Sequence, residues 1–249
     1  MRYRPNPLSC LILAIGVLWG STARVTAQST KADEFGEPRA SVFAAAAQVP
    51  LEQMTAGVRE KVRTVLEHPT LCTHGPAEVF NCQPALYHWF LDHPDRAAVV
   101  WRRLGAKCVE MTDRGNGRFG WSDKLGSDVH WDTVYRGPRM RVWHAEGQVR
   151  PAPLLPLVLV QAVVVLRYAE GRDSDGKPLL RHQADLLVHT DSKTAALAAR
   201  VLGASAPRMA EQYVAQLEMF FSALPWYLDQ HPEKAKRLLA EVLPTSSGN

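Results

Sequence analysis

The spacing of hydrophobic positions changes along the chain and separates helical from extended segments. A run with helical spacing begins at Leu51 and ends at His68-Pro69, because proline cannot continue a helix. The sequence therefore predicts an N-terminal helix within 51–70. The stretch PALYHWFLDHPDRAAVVWRRLG (84–105) predicts two short helices that separate at His93-Pro94, since the residue before a proline avoids helical geometry. The apolar face of the first helix is formed by Val58, Val62, Val65 and Leu66.

From Cys108 onward apolar and polar residues alternate, which is typical of β-strands. The turn Gly115-Asn116-Gly117 predicts one hairpin, and Gly137-Pro138 predicts a second. The segment 157–171 is apolar on both faces, as expected of a strand that is buried on both sides. The predicted strands are 78–82, the two arms of the hairpin 109–123, and then 129–135, 139–145, 157–171 and 179–191.

Helical spacing returns after the strands. The segment 193–203 predicts a short helix, and Ser205 and Pro207 mark the start of a long one, in which Pro225 predicts a kink. The apolar stripe of this long helix is predicted to be Met209, Tyr213, Leu217, Phe220, Leu224 and Leu228, with Arg208, Glu211, Glu218 and Ser222 off the stripe. The fold class predicted from these elements is α+β, an antiparallel sheet with a long C-terminal helix and an extra N-terminal helix.

The first 27 residues have the pattern of a secretory signal peptide. Arg2 and Arg4 precede the apolar run LSCLILAIGVLWG (8–20), which is shorter than a membrane span. We therefore expect cleavage after Ala27 and export to the periplasm or the medium; an uncleaved anchor that tethers the protein to the membrane stays open. Residues 28–50 are polar and predict a disordered arm.

The charge balance argues against nucleic acid as a partner. The whole chain carries a formal net charge of +4, and three of the basic residues belong to the predicted signal peptide. The rest has 26 basic and 25 acidic side chains, whereas nucleic-acid binding needs clustered basic excess.

Three cysteines follow the predicted signal peptide, and their pairing depends on the compartment. In an oxidising compartment Cys72 and Cys82 are the natural disulfide pair, because they bracket a short loop. Three buried thiols are the alternative. Cys108 is expected to be a small core residue in either case.

The stretch GSDVHWDTVYRGPRMRVWHAEG (126–147) holds the candidate chemistry. A turn centred on Gly137-Pro138 places Trp131 opposite His144, whereas a shift of one residue places Asp132 opposite His144. The shifted register would group His130, Asp132 and His144, which could act as acid and base or hold zinc; a solvated strand face is the alternative. The spacing matches no established metal motif, so we predict no metal site and no cofactor.

Aromatic residues recur on the predicted strands and on the final helix. A sheet that presents them toward an apolar helix forms either a solid core or an apolar cavity, and both interpretations stay open. The candidate ligand-binding residues are Trp131, Tyr135, Trp143, Tyr213 and Phe220.

The order of elements resembles the START-like, or helix-grip, superfamily, which includes polyketide cyclases and lipid-transfer proteins. The stretch PAEVFNCQPALYHWFLDHPDRAAVVWRRLG (76–105) is similar to its opening strand and helix pair, and the likeness extends from 76 to 230. It implies a START-like domain over 71–232, a tail over 233–249, and a curved sheet around the last helix with a hydrophobic ligand between them.

We therefore predict an exported protein that binds an apolar small molecule or lipid. Two alternatives stay open: an enzyme on the same scaffold, such as a cyclase or hydrolase using His130, Asp132 and His144, and an envelope protein that contacts a partner. Peripheral contact with a membrane and the oligomeric state also stay open.

Overall fold

The elements follow one another in the predicted order over most of the chain. The computed structural model describes residues 38–108, 110–123, 126–150, 157–190, 205–240 and 242. The predicted signal peptide (1–27), residues 28–37 of the predicted arm and the predicted helix 193–203 lie outside the described residues.

Helices stand before, between and after the strands. The helices are α1 (Pro38–Ala47), α2 (Ala56–Glu67), α3 (Pro84–Asp92), α4 (Pro94–Arg103), α5 (Ser205–Gln230) and α6 (Pro232–Ala240), with one 3-10 turn at Leu51–Gln53. The strands are β1 (Leu71–His74), β2 (Glu78–Asn81), β3 (Thr112–Gly115), β4 (Arg118–Ser122), β5 (Asp128–Arg136), β6 (Met140–Val149), β7 (Val158–Arg172) and β8 (Pro178–His189). The predicted break between α3 and α4 at His93-Pro94 is confirmed, and α5 continues through Pro225.

The strands form one curved, unclosed antiparallel sheet in the order β1-β8-β7-β6-β5-β4-β3. β2 also pairs with β8, next to β1 along the same edge. β1 pairs with residues 185–188 of β8, and β2 pairs with residues 179–182 of the same strand. The edge is therefore interrupted at residues 75–77, where the chain leaves the sheet between the two short strands.

Helices cover both faces of the sheet, and each face has its own core. On the inner face Leu166, Leu180 and Ala184 pack with α3, α4 and α5, and on the outer face Val163 and Leu187 pack with α1 and α2. Because side chains alternate along a strand, β7 supplies apolar residues to both cores, as its sequence predicted. The predicted α+β class, a curved antiparallel sheet with a long C-terminal helix packed on it, is confirmed.

The prediction of a disordered arm over 28–50 is wrong for its second half, because residues 38–47 form α1. Val42 and Ala45 are buried against the outer face, and Val49 follows them into the same core. Burial on the sheet stabilises a segment that is too short and too weakly amphipathic to indicate a helix on its own. The predicted tail over 233–249 likewise contains α6, and β1 was not predicted at all.

The predicted disulfide between Cys72 and Cys82 is wrong. Cys72, Cys82 and Cys108 are all free thiols. Cys72 packs in the outer core with α2, whereas Cys82 is buried in the inner core with α3 and α5. The two side chains therefore lie on opposite faces of the sheet and cannot be joined without moving the backbone.

A β-bulge in β5 decides the register of the central hairpin. Asp132 lies opposite His144 and Thr133 opposite Trp143, and then the register shifts so that Tyr135 lies opposite Val142. The extra residue reverses the alternation of side chains beyond the bulge.

In the part of the chain that the structure describes, no helix is long and apolar enough to cross a membrane.

Candidate functional site

Aromatic side chains are concentrated on the inner face of three neighbouring strands, in a group that we call the aromatic face: Phe119 and Trp121 of β4, Trp131 of β5 and Trp143 of β6. The pairings Phe119–Trp131 and Trp121–Val129 place the rings of β4 and β5 on one side of the sheet. Trp131 is half-buried, with its ring centroid 5.9 Å from that of Phe119, and the other three are buried.

Rings from α5 contact the edge of the aromatic face. Phe221 stacks on Trp143 with centroids 5.5 Å apart and planes only 12° apart, and Phe220 packs at a right angle to Phe221. The Trp101 indole N–H donates a hydrogen bond to the Phe220 carbonyl at 3.2 Å. Helix and sheet therefore meet through aromatic contacts, and Phe221 covers one side of the Trp143 ring.

Two polar atoms on the aromatic side of the sheet are buried without a hydrogen-bond partner among the described residues. They are the indole Nε1 of Trp143 and the hydroxyl of Thr133, which lie directly opposite each other on β6 and β5. Leaving such a group unsatisfied costs about 1–3 kcal/mol. The neighbouring pair forms a polar position within an otherwise apolar surface.

The five predicted ligand-binding residues do not form one group. Trp131 and Trp143 lie on the inner face, and Phe220 is buried there against Trp101. Tyr213 is half-buried on the first half of α5. Tyr135 belongs to the outer core, because the bulge in β5 moves it to the face opposite the one that strict alternation indicated.

The three candidate catalytic residues share the outer face, but two of them bond to groups outside the trio. The shifted register places Asp132 opposite His144, as the alternative prediction required. Asp132, however, accepts a hydrogen bond from Arg118 at 2.7 Å, and His130 lies 3.2 Å from Glu146. The described residues contain no group of three or more side chains that could hold a metal ion.

His144 is the buried member of that trio. Burial lowers the pKa of His144, and its Nε2 has no hydrogen-bond partner among the described residues. Glu146, by contrast, has its pKa lowered by Lys61, which donates a bond of 2.7 Å, in spite of partial burial. The outer face thus holds a neutral histidine beside paired charges.

A row of buried polar groups on the inner face was missed from the sequence. Glu218 of α5 is completely buried, and its Oε1 accepts the Ala184 backbone N–H at 2.6 Å. The predicted apolar stripe of α5 leaves Glu218 out. Val214 and Phe221, which precede and follow it at helical spacing, are buried in the inner core together with Leu224 of the predicted stripe, so the buried surface of the helix is wider than predicted.

The row continues from β2 into α3 through a histidine. The Tyr87 hydroxyl and Nδ1 of His182 form a hydrogen bond of 2.9 Å, and Nε2 of His182 lies 3.2 Å from the Glu78 carboxylate. Burial raises the pKa of Glu78, but hydrogen bonds from His182 and Ser222 outweigh it and leave that pKa below its usual value. Glu78 is therefore ionised at neutral pH, while desolvation keeps the pKa of Tyr87 well above its usual value.

No family model matches the sequence, and no curated protein matches it. Several solved structures are similar in part. A conserved protein from Geobacillus kaustophilus matches 64% of this chain and 97% of its own with 11% identity and a TM-score of 0.41. A hypothetical protein from Helicobacter pylori matches 61% and 87% with 12% identity and a TM-score of 0.36.

A third similar structure is the di-domain ARO/CYC BexL from the BE-7585A biosynthetic pathway. It matches 78% of this chain and 56% of its own length, with 16% identity and a TM-score of 0.32. The chain thus spans about half of that di-domain protein.

Proposed function

We propose that this chain binds an apolar small molecule or lipid on the aromatic face, a function of the kind that the START-like resemblance implies. The observation that carries the proposal is the polar position inside that face. Trp143 and Thr133 keep a buried indole N–H and a hydroxyl without a partner among the described residues. A hydrogen-bond acceptor on an otherwise apolar ligand would satisfy them and remove that cost.

The surrounding rings favour an apolar ligand over a polar one. Each aromatic side chain of this kind offers about 150–250 Å² of surface for burial. Trp131 is the member of the aromatic face that is still partly accessible, and it lies between buried Phe119 and the next strand. A ligand that covers Trp131 would extend the apolar core rather than create a new polar interface.

We further propose that binding takes place outside the cytoplasm, because residues 1–27 have the pattern of a signal peptide. An exported binding protein of this type holds a poorly soluble molecule in an aqueous compartment. A covalent reaction is not needed for that role.

The uncharged fluorophore N-phenyl-1-naphthylamine tests the proposal in a fluorescence titration. Trp131→Ala removes the accessible ring, and we expect it to weaken binding by at least about tenfold, which corresponds to about 1.4 kcal/mol. Trp226→Ala is the matched control, because Trp226 is an exposed tryptophan on α5, 37% accessible, outside the aromatic face.

The proposal is rejected if the fluorophore does not bind the unmodified protein, or if both substitutions weaken binding equally. Native mass spectrometry of protein purified from its own source supplies an independent test. A co-purifying apolar molecule that Trp131→Ala loses and Trp226→Ala retains is the expected result.

A further inference from the structure

The interruption between β1 and β2 leaves one backbone amide of β8 without a strand partner. The Gly75 N–H donates to the Ala184 carbonyl at 2.8 Å, so the carbonyl is satisfied by the chain that leaves the sheet. The Ala184 N–H instead donates to the carboxyl group of Glu218 at 2.6 Å. A side chain of α5 therefore completes the edge of the sheet at this point.

Gly75 makes room for that carboxyl group. A Cβ atom at position 75 would lie 2.3–2.5 Å from the Glu218 carboxyl atoms, closer than any ordinary contact. Glu218 is fully buried, and its second oxygen, Oε2, has no hydrogen-bond partner among the described residues. Helix and sheet thus meet across a carboxyl group that bonds through one oxygen.

The ionisable groups near Glu218 come from each element packed against this part of α5. β2 supplies Glu78, which is held ionised by His182 and Ser222. β8 supplies Asp185, which pairs with His74 of β1 at 2.6 Å and with Arg167 of β7 at 3.0 Å. α3 supplies Tyr87, whose pKa is raised mainly by burial. Two acidic groups therefore disfavour a negative charge on Glu218.

Burial and these neighbours together keep Glu218 neutral near pH 7. Burial, with smaller contributions from the charges of Glu78 and Asp185, raises the pKa of Glu218 to about 8 in spite of the bond from Ala184. Ionisation would place an uncompensated charge between α5 and the sheet, where the cost is largest.

The same stretch of α5 carries the ring that covers the aromatic face. Phe221 follows Glu218 by three residues, less than one helical turn, and stacks on Trp143. A displacement of α5 at Glu218 would therefore also separate Phe221 from Trp143.

We propose that Glu218 is a pH-dependent latch, which closes α5 on the sheet when it is neutral and releases α5 from the aromatic face when it is ionised. The claim that this release controls ligand binding rests on the proposed function. The claim that the Glu218 carboxyl group, which accepts the Ala184 N–H, titrates can be tested in the protein without ligand.

The size of the effect follows from the ionised fraction. With a midpoint near pH 8, about 9% of the molecules carry an ionised Glu218 at pH 7 and about 91% at pH 9. If only the released state binds, the apparent affinity scales with that fraction. Binding of N-phenyl-1-naphthylamine should therefore strengthen about tenfold between pH 7 and pH 9.

The first experiment follows the amide signal of Ala184 by NMR between pH 6 and pH 9.5. We expect its chemical shift to titrate with a midpoint near pH 8, and the titration to vanish in Glu218→Gln. Glu78→Gln removes a like charge and should lower the midpoint. Glu211→Gln is the control, since Glu211 is exposed on the same helix, and should leave the midpoint unchanged.

The second experiment measures fluorophore binding over the same pH range. Glu218→Gln should bind weakly at every pH, while Glu211→Gln keeps the tenfold change. An Ala184 signal that does not titrate, or binding by Glu218→Gln that still strengthens with pH, overturns the latch. A titrating Ala184 signal in a protein that never binds the fluorophore leaves Glu218 as a titrating contact, and overturns the proposed function and the gating together.

Discussion

Replacing Glu218 by glutamine should make the protein more stable at neutral pH, although it removes a buried carboxyl group. The amide has nearly the same shape as a protonated carboxyl, and its oxygen can still accept the Ala184 N–H. What it cannot do is ionise. The substitution therefore removes the part of the pH dependence of the free energy of unfolding that arises because Glu218 stays protonated in the folded state.

The magnitude follows from the two pKa values of that group. In the unfolded chain Glu218 titrates near 4.5, and in the folded protein near 8. Between these values the folded state binds more protons, so each pH unit lowers the free energy of unfolding by about 1.4 kcal/mol. Relative to pH 4.5, the loss reaches about 3 kcal/mol at pH 7 and about 4 kcal/mol at pH 8, and then levels off.

Urea denaturation at constant ionic strength, followed by tryptophan fluorescence from pH 4.5 to pH 9, measures the effect. The difference between Glu218→Gln and the unmodified protein should grow with pH and reach a plateau above pH 8. Glu211→Gln, on the exposed side of α5, should give a difference that is nearly independent of pH. A constant difference for Glu218→Gln, or one that shrinks as pH rises, would refute the reasoning.

Two further substitutions and one chemical reaction test the packing between α5, the inner core and the sheet. Gly75→Ala should lower the free energy of unfolding by about 1–3 kcal/mol in a denaturant titration, because its Cβ would overlap the Glu218 carboxyl group. Gly57→Ala is the control: Gly57 lies in open space on a helix, so this substitution should not destabilise the protein. Equal losses for the two variants would contradict the overlap. Leu224→Ala should cost about 2–5 kcal/mol in the same assay, since Leu224 is fully buried, and a loss below about 1 kcal/mol would be inconsistent with that burial. Cys82 should stay unreactive toward a maleimide at pH 8 in the folded protein, because burial raises the pKa of its thiol to about 12; rapid labelling without unfolding would contradict this.

The strand pattern predicted most of the sheet, because alternation and turn residues are local signals. The hairpin turn at Asn116 and Gly117 has the positive φ values that those residues tolerate. The bulge in β5 has no such local signal. It reversed the side-chain alternation after Thr133, so that Tyr135 was assigned to the wrong face.

The candidate site was harder to predict from the sequence, because it depends on contacts between segments that are far apart in the chain. The tryptophans of β5 and β6 were recognised as candidates from their spacing. Glu218 was not, since a glutamate on an amphipathic helix normally faces water. Its burial depends on a gap in the opposite edge of the sheet at Gly75, about 140 residues earlier in the chain.

The break between β1 and β2 also affects how well this edge of the sheet could pair with a further strand. Each of these edge strands is only four residues long, and the Gly75-Pro76 corner lies between them. A foreign strand that approached this side would find no continuous row of amide and carbonyl groups to extend, which is how natural sheets prevent fibre-like growth. The same corner that accommodates the carboxyl group of Glu218 thus leaves this edge of the sheet without a continuous template for strand addition.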